Sequence, residues 1–213
     1  MSSTALRVAH PRHAASLILW RQAPSGSVEV LMGVRAAGHR FMPNRLVFPG
    51  GRVDFADRFA PAASELRPET RAALERRAPP RLARALAMAA ARELEEETGL
   101  QLGGPQPALD RLDYLCRAVT PRQLPIRFNA RFLIAPEEAT TGRLTGSGEL
   151  ESLAWVTPEA ALRLPVAPIT ACVLAEFRDW LGLQAAARPA RPLICLRGAG
   201  RRCPEPLGPG AAS

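Results

Sequence analysis

Residues 92–100 read Arg92-Glu93-Leu94-Glu95-Glu96-Glu97-Thr98-Gly99-Leu100, which sets four carboxylates at the end of a long helix-forming stretch. From Arg81 to Thr98 every residue is a fair helix former, Pro79-Pro80 suit a helix start, and Gly99 stands where a left-handed cap belongs. At roughly 100° per residue, Glu93, Glu96 and Glu97 share one face, while Leu94, Ala87, Ala90 and Ala91 cover an adjoining apolar arc. The plain alternative is an ordinary solvated face, and the energetics argue against it. Like charges one turn apart cost about 0.2–0.5 kcal/mol, and carboxylates in a last turn oppose the helix dipole by about 0.3–1 kcal/mol each. A divalent cation between the three glutamates reverses that sign, and hard carboxylate oxygens suit Mg2+ or Mn2+. Arg92, one turn before Glu96, is placed to orient a carboxylate.

The rest of the chain mixes strand and helix patterns in an order that predicts an α+β fold. Ala15–Trp20 and Val28–Arg35 read as strands around a Pro-Ser-Gly turn, and Leu46-Val47-Phe48 as a third strand halted by Pro49-Gly50-Gly51. Residues 55–80 are punctuated by Pro61, Pro68, Pro79 and Pro80 and read as an inserted segment with one short helix near Pro68. Asp113–Val119, Arg127–Ala135 and Leu150–Val156 read as strands, Pro158–Arg163 and Ile169–Leu183 as helices. After Gln184 the chain turns to Ala, Arg, Pro and Gly with one apolar patch, Leu193–Leu196, and is expected to be a tail whose last ten residues are disordered.

Composition narrows the function classes. With 213 residues, 47% of them hydrophobic, the chain can bury one core. No apolar run reaches the length of a membrane span and no signal-peptide pattern is present, so a cytoplasmic protein is expected. Cys116, Cys172, Cys195 and Cys203 show no zinc spacing and are expected as reduced thiols. The net charge of +8 is carried by arginine alone and is concentrated in residues 58–84 and 185–213. Neither basic segment has interleaved aromatics or a recognition motif, so nucleic-acid binding is the weaker reading, to be excluded by a salt-independent binding constant.

The run from Arg92 resembles the second half of the Nudix box, Gly-x5-Glu-x7-Arg-Glu-U-x-Glu-Glu-x-Gly-U with U apolar, and all seven defining positions of that half match. Pro49-Gly50-Gly51-Arg52-Val53-Asp54 is similar to the family's glycine turn, so Gly51 opens the box and Asp57 stands at its first Glu. Two departures follow. The residue is Asp instead of Glu, and 34 residues separate it from Arg92 where the motif has seven. An interruption after Val47-Phe48-Pro49-Gly50-Gly51, with Phe41-Met42-Pro43 before it, is similar to a Nudix branch associated with coenzyme A diphosphatase activity. Thr120-Pro121, Arg127-Phe128, Glu149 and Trp155-Val156-Thr157-Pro158-Glu159 extend the likeness over residues 13–183, leaving 184–213 as a tail.

The resemblance implies a mixed β-sheet between helices in an α/β/α arrangement, and Mg2+- or Mn2+-dependent hydrolysis of a pyrophosphate linkage. The substrate class is a nucleoside diphosphate joined to another group, coenzyme A or acyl-CoA among them. Implied metal ligands are Glu93, Glu96, Glu97 and the Gly50 carbonyl; implied catalytic residues are Arg92, Glu93, Glu97 and Glu149. Arg35, Arg40 and Arg127 are candidates for binding substrate phosphates, with Arg131 in similar standing, since a guanidinium pairs with phosphate in a two-pronged geometry. Phe48 reads as core, and His10, His13 and His39 carry no catalytic pattern. The competing class is a non-catalytic Nudix-fold module that senses a nucleotide, motivated by Asp57 and the interruption. Monomer and homodimer are both open.

Overall fold

The computed structural model describes residues 9–36, 38, 42–146, 148–198 and 200–205. In chain order its elements are strands β1 (Arg12–Gln22), β2 (Val28–Arg35), β3 (Leu46–Val47) and β4 (Gly50–Arg52), a short 3-10 turn (Ala56–Arg58), helices α1 (Pro68–Glu75) and α2 (Pro80–Thr98), and strand β5 (Leu100–Leu102). There follow β6 (Asp113–Val119), β7 (Phe128–Pro136), β8 (Thr140–Gly142), β9 (Leu150–Val156), α3 (Pro158–Ala161), α4 (Pro168–Leu181), β10 (Ile194–Arg197) and β11 (Arg201–Pro204). The expectation for Arg40 falls outside the described residues, as do His39 and Phe41.

The main sheet is mixed, in the order β11-β10-β6-β7-β1-β2-β3, with β4 also on β1 and β9 also on β2. β1 and β7 run parallel over nine registered positions at its centre, from Arg12 against Phe128 to Trp20 against Pro136. Side-chain alternation then splits the core in two. Leu17 and Leu19 of β1 and Leu31 of β2 point to the layer of α1 and α2, together with Leu86, Ala90 and Leu94. Ile18, Val30 and Met32 point to the opposite layer with Phe177 and Trp180 of α4. The result is the expected α/β/α sandwich.

α2 begins with Pro80 at its first position and ends at Gly99, whose φ of 74° is the left-handed conformation that glycine takes without penalty. The Gly99 N–H closes the helix on the Glu95 carbonyl at 2.8 Å. Ala87, Ala89, Ala90 and Ala91 are all buried, so the helix lies close to the sheet and its last turn stays beside β1 and β4.

Of the additions to the fold, the inserted segment has its expected short helix at Pro68–Glu75, and the expectation of a C-terminal tail is revised. The inserted segment is packed into the molecule: Leu66, Leu74 and Ala78 lie in the α2 core, Thr70 Oγ1 donates to the Leu112 carbonyl at 2.9 Å, and Arg67 pairs with Asp113. The segment expected as a tail extends the sheet. β10 lies parallel to β6, Ile194 opposite Cys116, and β11 pairs antiparallel with β10. The apolar run Leu193–Leu196 is what the sheet edge buries, and Arg117 with Glu205 forms an ion pair whose side chains are 9% and 1% exposed. All four cysteines are free.

Candidate active site

The site is built where the end of α2 meets the glycine turn of β4. The Gly50 N–H donates to Glu97 Oε2 at 2.8 Å, 47 residues away in sequence. Gly50 has φ +156°, and a Cβ there would stand 2.6 Å from the Ala15 carbonyl oxygen of β1. At Gly51 a Cβ would sit on the Glu93 carboxylate. Gly50 is therefore demanded by close approach to the backbone of the neighbouring strand, whereas a side chain at Gly51 would have to push aside the end of Glu93.

Arg92 gathers the remaining acids. Its Nε donates to Asp57 Oδ1 at 2.9 Å and its Nη2 to Asp57 Oδ2 at 3.2 Å; Nη1 donates to Glu93 at 2.9 Å and to Glu96 at 2.8 Å, and Nη2 also to the Arg52 carbonyl. Asp57 is 2% exposed and accepts the Asp54 N–H at 2.7 Å. Burial works against the Arg92 charge, but Asp57 and Glu93 outweigh it and hold the guanidinium protonated. Arg92 thus bonds to Glu96 one turn along the helix and to Asp57 across the inserted segment.

Burial raises the Glu93 carboxyl above its usual range against the pull of Arg92. It pushes Glu97 up to about 7, with Glu93 and Glu149 adding to the rise and Gly50 N–H and Arg35 opposing it. Two desolvated acids on one turn are short of positive charge, and the donors are hard oxygens from Glu93, Glu96, Glu97 and the Gly50 carbonyl. Oxygens of that kind suit a hard divalent cation. Among the described residues no group of three or more His, Cys, Asp or Glu side chains is arranged to hold a metal ion, and Arg92 donates to both Glu93 and Glu96. Glu95 points elsewhere and accepts from Gln101.

Arg35 joins the cluster: its Nη2 is 3.5 Å from the Gly50 carbonyl, and its buried Nε has no hydrogen-bond partner. Glu149, exposed just ahead of β9, is near enough for its charge to act on both Glu93 and Glu97. Arg127 does not join them. It is buried and donates to the Thr120 and Ala9 carbonyls. Arg131, 1% exposed, donates to the Asn129 and Arg77 carbonyls and meets His13 Nδ1 at 3.2 Å. Phe48 is core, edge-on to Phe132 at 6.3 Å between ring centres. Sequence reading passed over Phe55 and Phe59, which stand exposed on either side of Asp57. Their signal was two aromatics in a polar turn.

Comparison with known proteins gives the family of this fold. The family model of the NUDIX domain matches residues 10–177. The chain is similar in structure to a NUDIX hydrolase from Alicyclobacillus acidocaldarius, with 25% identity, a TM-score of 0.59, and coverage of 78% of this chain and 90% of that one. It shares the fold of a MutT NUDIX hydrolase from Burkholderia pseudomallei, with 20% identity, a TM-score of 0.51, and coverage of 79% and 98%. It also shares the fold of the NUDIX domain of Shewanella oneidensis NrtR, crystallised with ADP ribose, with 15% identity, a TM-score of 0.52, and coverage of 81% and 90%. No curated protein matches the sequence. Among the described residues no helix is long and apolar enough to cross a membrane. The chain belongs to the NUDIX domain family, and it is a Nudix pyrophosphohydrolase.

Proposed function

We propose that this enzyme hydrolyses the pyrophosphate bond of a nucleoside diphosphate joined to a second group, with coenzyme A or an acyl-CoA as the first substrate to test. Mg2+ or Mn2+ would be held by Glu93, Glu96, Glu97 and the Gly50 carbonyl. One observation carries the reading: buried Glu97 and Glu93 converge on a Gly50-Gly51 turn that has room for their carboxylates and for no side chain of its own.

Nudix hydrolases generally use divalent metal ions. When bound, such an ion supplies charge neutralisation on the phosphates and activation of a water molecule. The chain's own groups do the rest. Glu97, buried and pushed up to about 7 in the metal-free chain, is a carboxyl that a nearby cation would hold ionised. Arg35, whose Nη2 lies 3.5 Å from the Gly50 carbonyl and whose buried Nε has no protein partner, brings a guanidinium to the turn where a phosphate oxygen would lie. Arg92 donates to Glu93 and Glu96 and so keeps the two carboxylates together beside the glycine turn. The coenzyme A assignment rests on the likeness of the Phe-Pro-Gly-Gly turn and of the interrupted box. Asp57 and the interruption of the box are the motives for a binding-only module; the pairing of Asp57 with Arg92 weighs against the first of them.

The test is incubation with coenzyme A, ADP-ribose, NADH, dinucleoside polyphosphates and oxidised deoxynucleoside triphosphates, with and without Mg2+ or Mn2+, beside Glu97→Gln. Metal-dependent cleavage lost in Glu97→Gln is the expected result. Nucleotide binding without turnover on any member would replace this reading by the sensor module.

A further inference from the structure

Phe55 and Phe59 are 74% and 67% accessible, the most exposed large hydrophobic side chains among the described residues. Their ring centres are 5.3 Å apart at an interplanar angle of 52°. The Arg58 guanidinium stands 5.7 Å from the centre of the Phe55 ring. The pair is held in place by its surroundings: between the two in sequence comes Asp57, buried and doubly bonded to Arg92, while Val53 N–H donates to the His13 carbonyl and Phe59 N–H to the Ala56 carbonyl. Two phenylalanines are thus presented to solvent from a turn locked to the carboxylate helix.

Position and chemistry together favour one occupant. Phe55 follows Gly50 by five residues, so it lies within about 17 Å of the Gly50 backbone even on a fully extended path. One arm of a substrate whose pyrophosphate rests at Gly50 and Glu97 falls within that radius. Aromatic faces stack on a nucleobase whatever its identity, and an arginine between them matches a phosphate oxygen. An aliphatic chain would call for a groove without a guanidinium in it. A second copy of the protein would need roughly 800 Å² of complementary surface per partner, and this turn is bordered by exposed Arg52 and Asp54.

We propose that Phe55, Arg58 and Phe59 form the base-binding platform of this enzyme, the nucleobase stacking on the rings and Arg58 engaging a phosphate next to it. The inference rests on the pyrophosphohydrolase reading of the carboxylate site. Its test uses the full chain and 1,N6-etheno-ADP as a fluorescent probe, with Phe55→Ala/Phe59→Ala, Phe55→Leu/Phe59→Leu and Phe55→Tyr/Phe59→Tyr. The Ala and Leu pairs should each weaken probe binding at least tenfold and raise KM to match. Their kcat should stay within twofold of the parent and their Tm within a few degrees, and the Tyr pair should restore binding. Unchanged probe affinity in the Ala pair overturns the platform, as does a parent protein that binds no probe. A shift from dimer to monomer with affinity unchanged also overturns it, in favour of a second copy. Loss of probe binding in the Ala pair, in a protein that cleaves nothing, would leave the platform standing and sink the choice of reaction. Cleavage with unaltered KM would do the reverse.

Discussion

Asp57 and Arg92 form a two-pronged ion pair, at 2.9 and 3.2 Å, between residues that 34 others separate in sequence. The pair joins the glycine turn to the carboxylate helix, and Arg92 passes that order on to Glu93 and Glu96. Removing the acid leaves a half-buried guanidinium short of its main partner. Asp57→Ala should therefore lose about 1.5–3 kcal/mol of stability in urea unfolding and lose activity with it, while Asp57→Glu should keep most of both. Equal behaviour of the two variants would show that the pair does not organise the site.

Glu97 gives a signature that separates function from stability. Its folded carboxyl is pushed up to about 7 from an ordinary value of 4.5. A raised folded value means that its favourable contribution is complete below about pH 4.5 and is lost as pH rises through 7. In metal-free protein at pH 8, Glu97→Gln should raise Tm above that of the parent, an advantage that shrinks as pH falls towards 5. The same variant should lose at least about a hundredfold in kcat. A Gln variant that is less stable at pH 8 would contradict the buried-charge account.

Gly51→Ala tests the space given to Glu93. The added methyl must displace that carboxylate, and displacements of about 1 Å at a reacting centre cost on the order of a hundredfold in rate. Activity should fall steeply while the far-ultraviolet circular dichroism and Tm change little. Full activity in this variant would mean that Glu93 has another position from which to work.

The C-terminal strands should be indispensable to folding. Arg117 and Glu205 are paired in a nearly dry setting, and Glu205→Ala strands the guanidinium at a cost of about 3–5 kcal/mol. Thermal unfolding should show a large drop in Tm, and a chain ended at Gln184 should be insoluble because β6 would present an open edge. A soluble, active truncation would return residues 185–205 to the status of an appendage.

Much of the architecture was legible because it is written locally. Gly99 ends α2 through its own backbone freedom, and Asp113–Val119 and Leu150–Val156 stand where their apolar patterns put them. What escaped reading depends on partners distant in sequence. Residues 184–213 read as a tail because Arg, Pro, Ala and Gly dominate them, yet their four apolar residues, Leu193–Leu196, suffice when β6 offers an unpaired edge. Arg127 suited a phosphate by type, but strand spacing carries no information about the carbonyls of Ala9 and Thr120 that use its donors. In the site itself the carboxylates were evident from their spacing on α2. The Gly50 N–H to Glu97 contact followed from no local pattern.

The interval between Asp57 and Arg92 can also be viewed as a polymer loop stapled at its base. For a featureless chain, closing 34 residues in place of seven costs only about 1.4 kcal/mol more, because the entropy of closure grows with the logarithm of length. That is no more than one charged hydrogen bond returns. The staple thus makes the geometry of the acids nearly indifferent to how much chain is threaded between the two halves of the motif, and the inserted segment was free to lengthen without the reaction centre registering it.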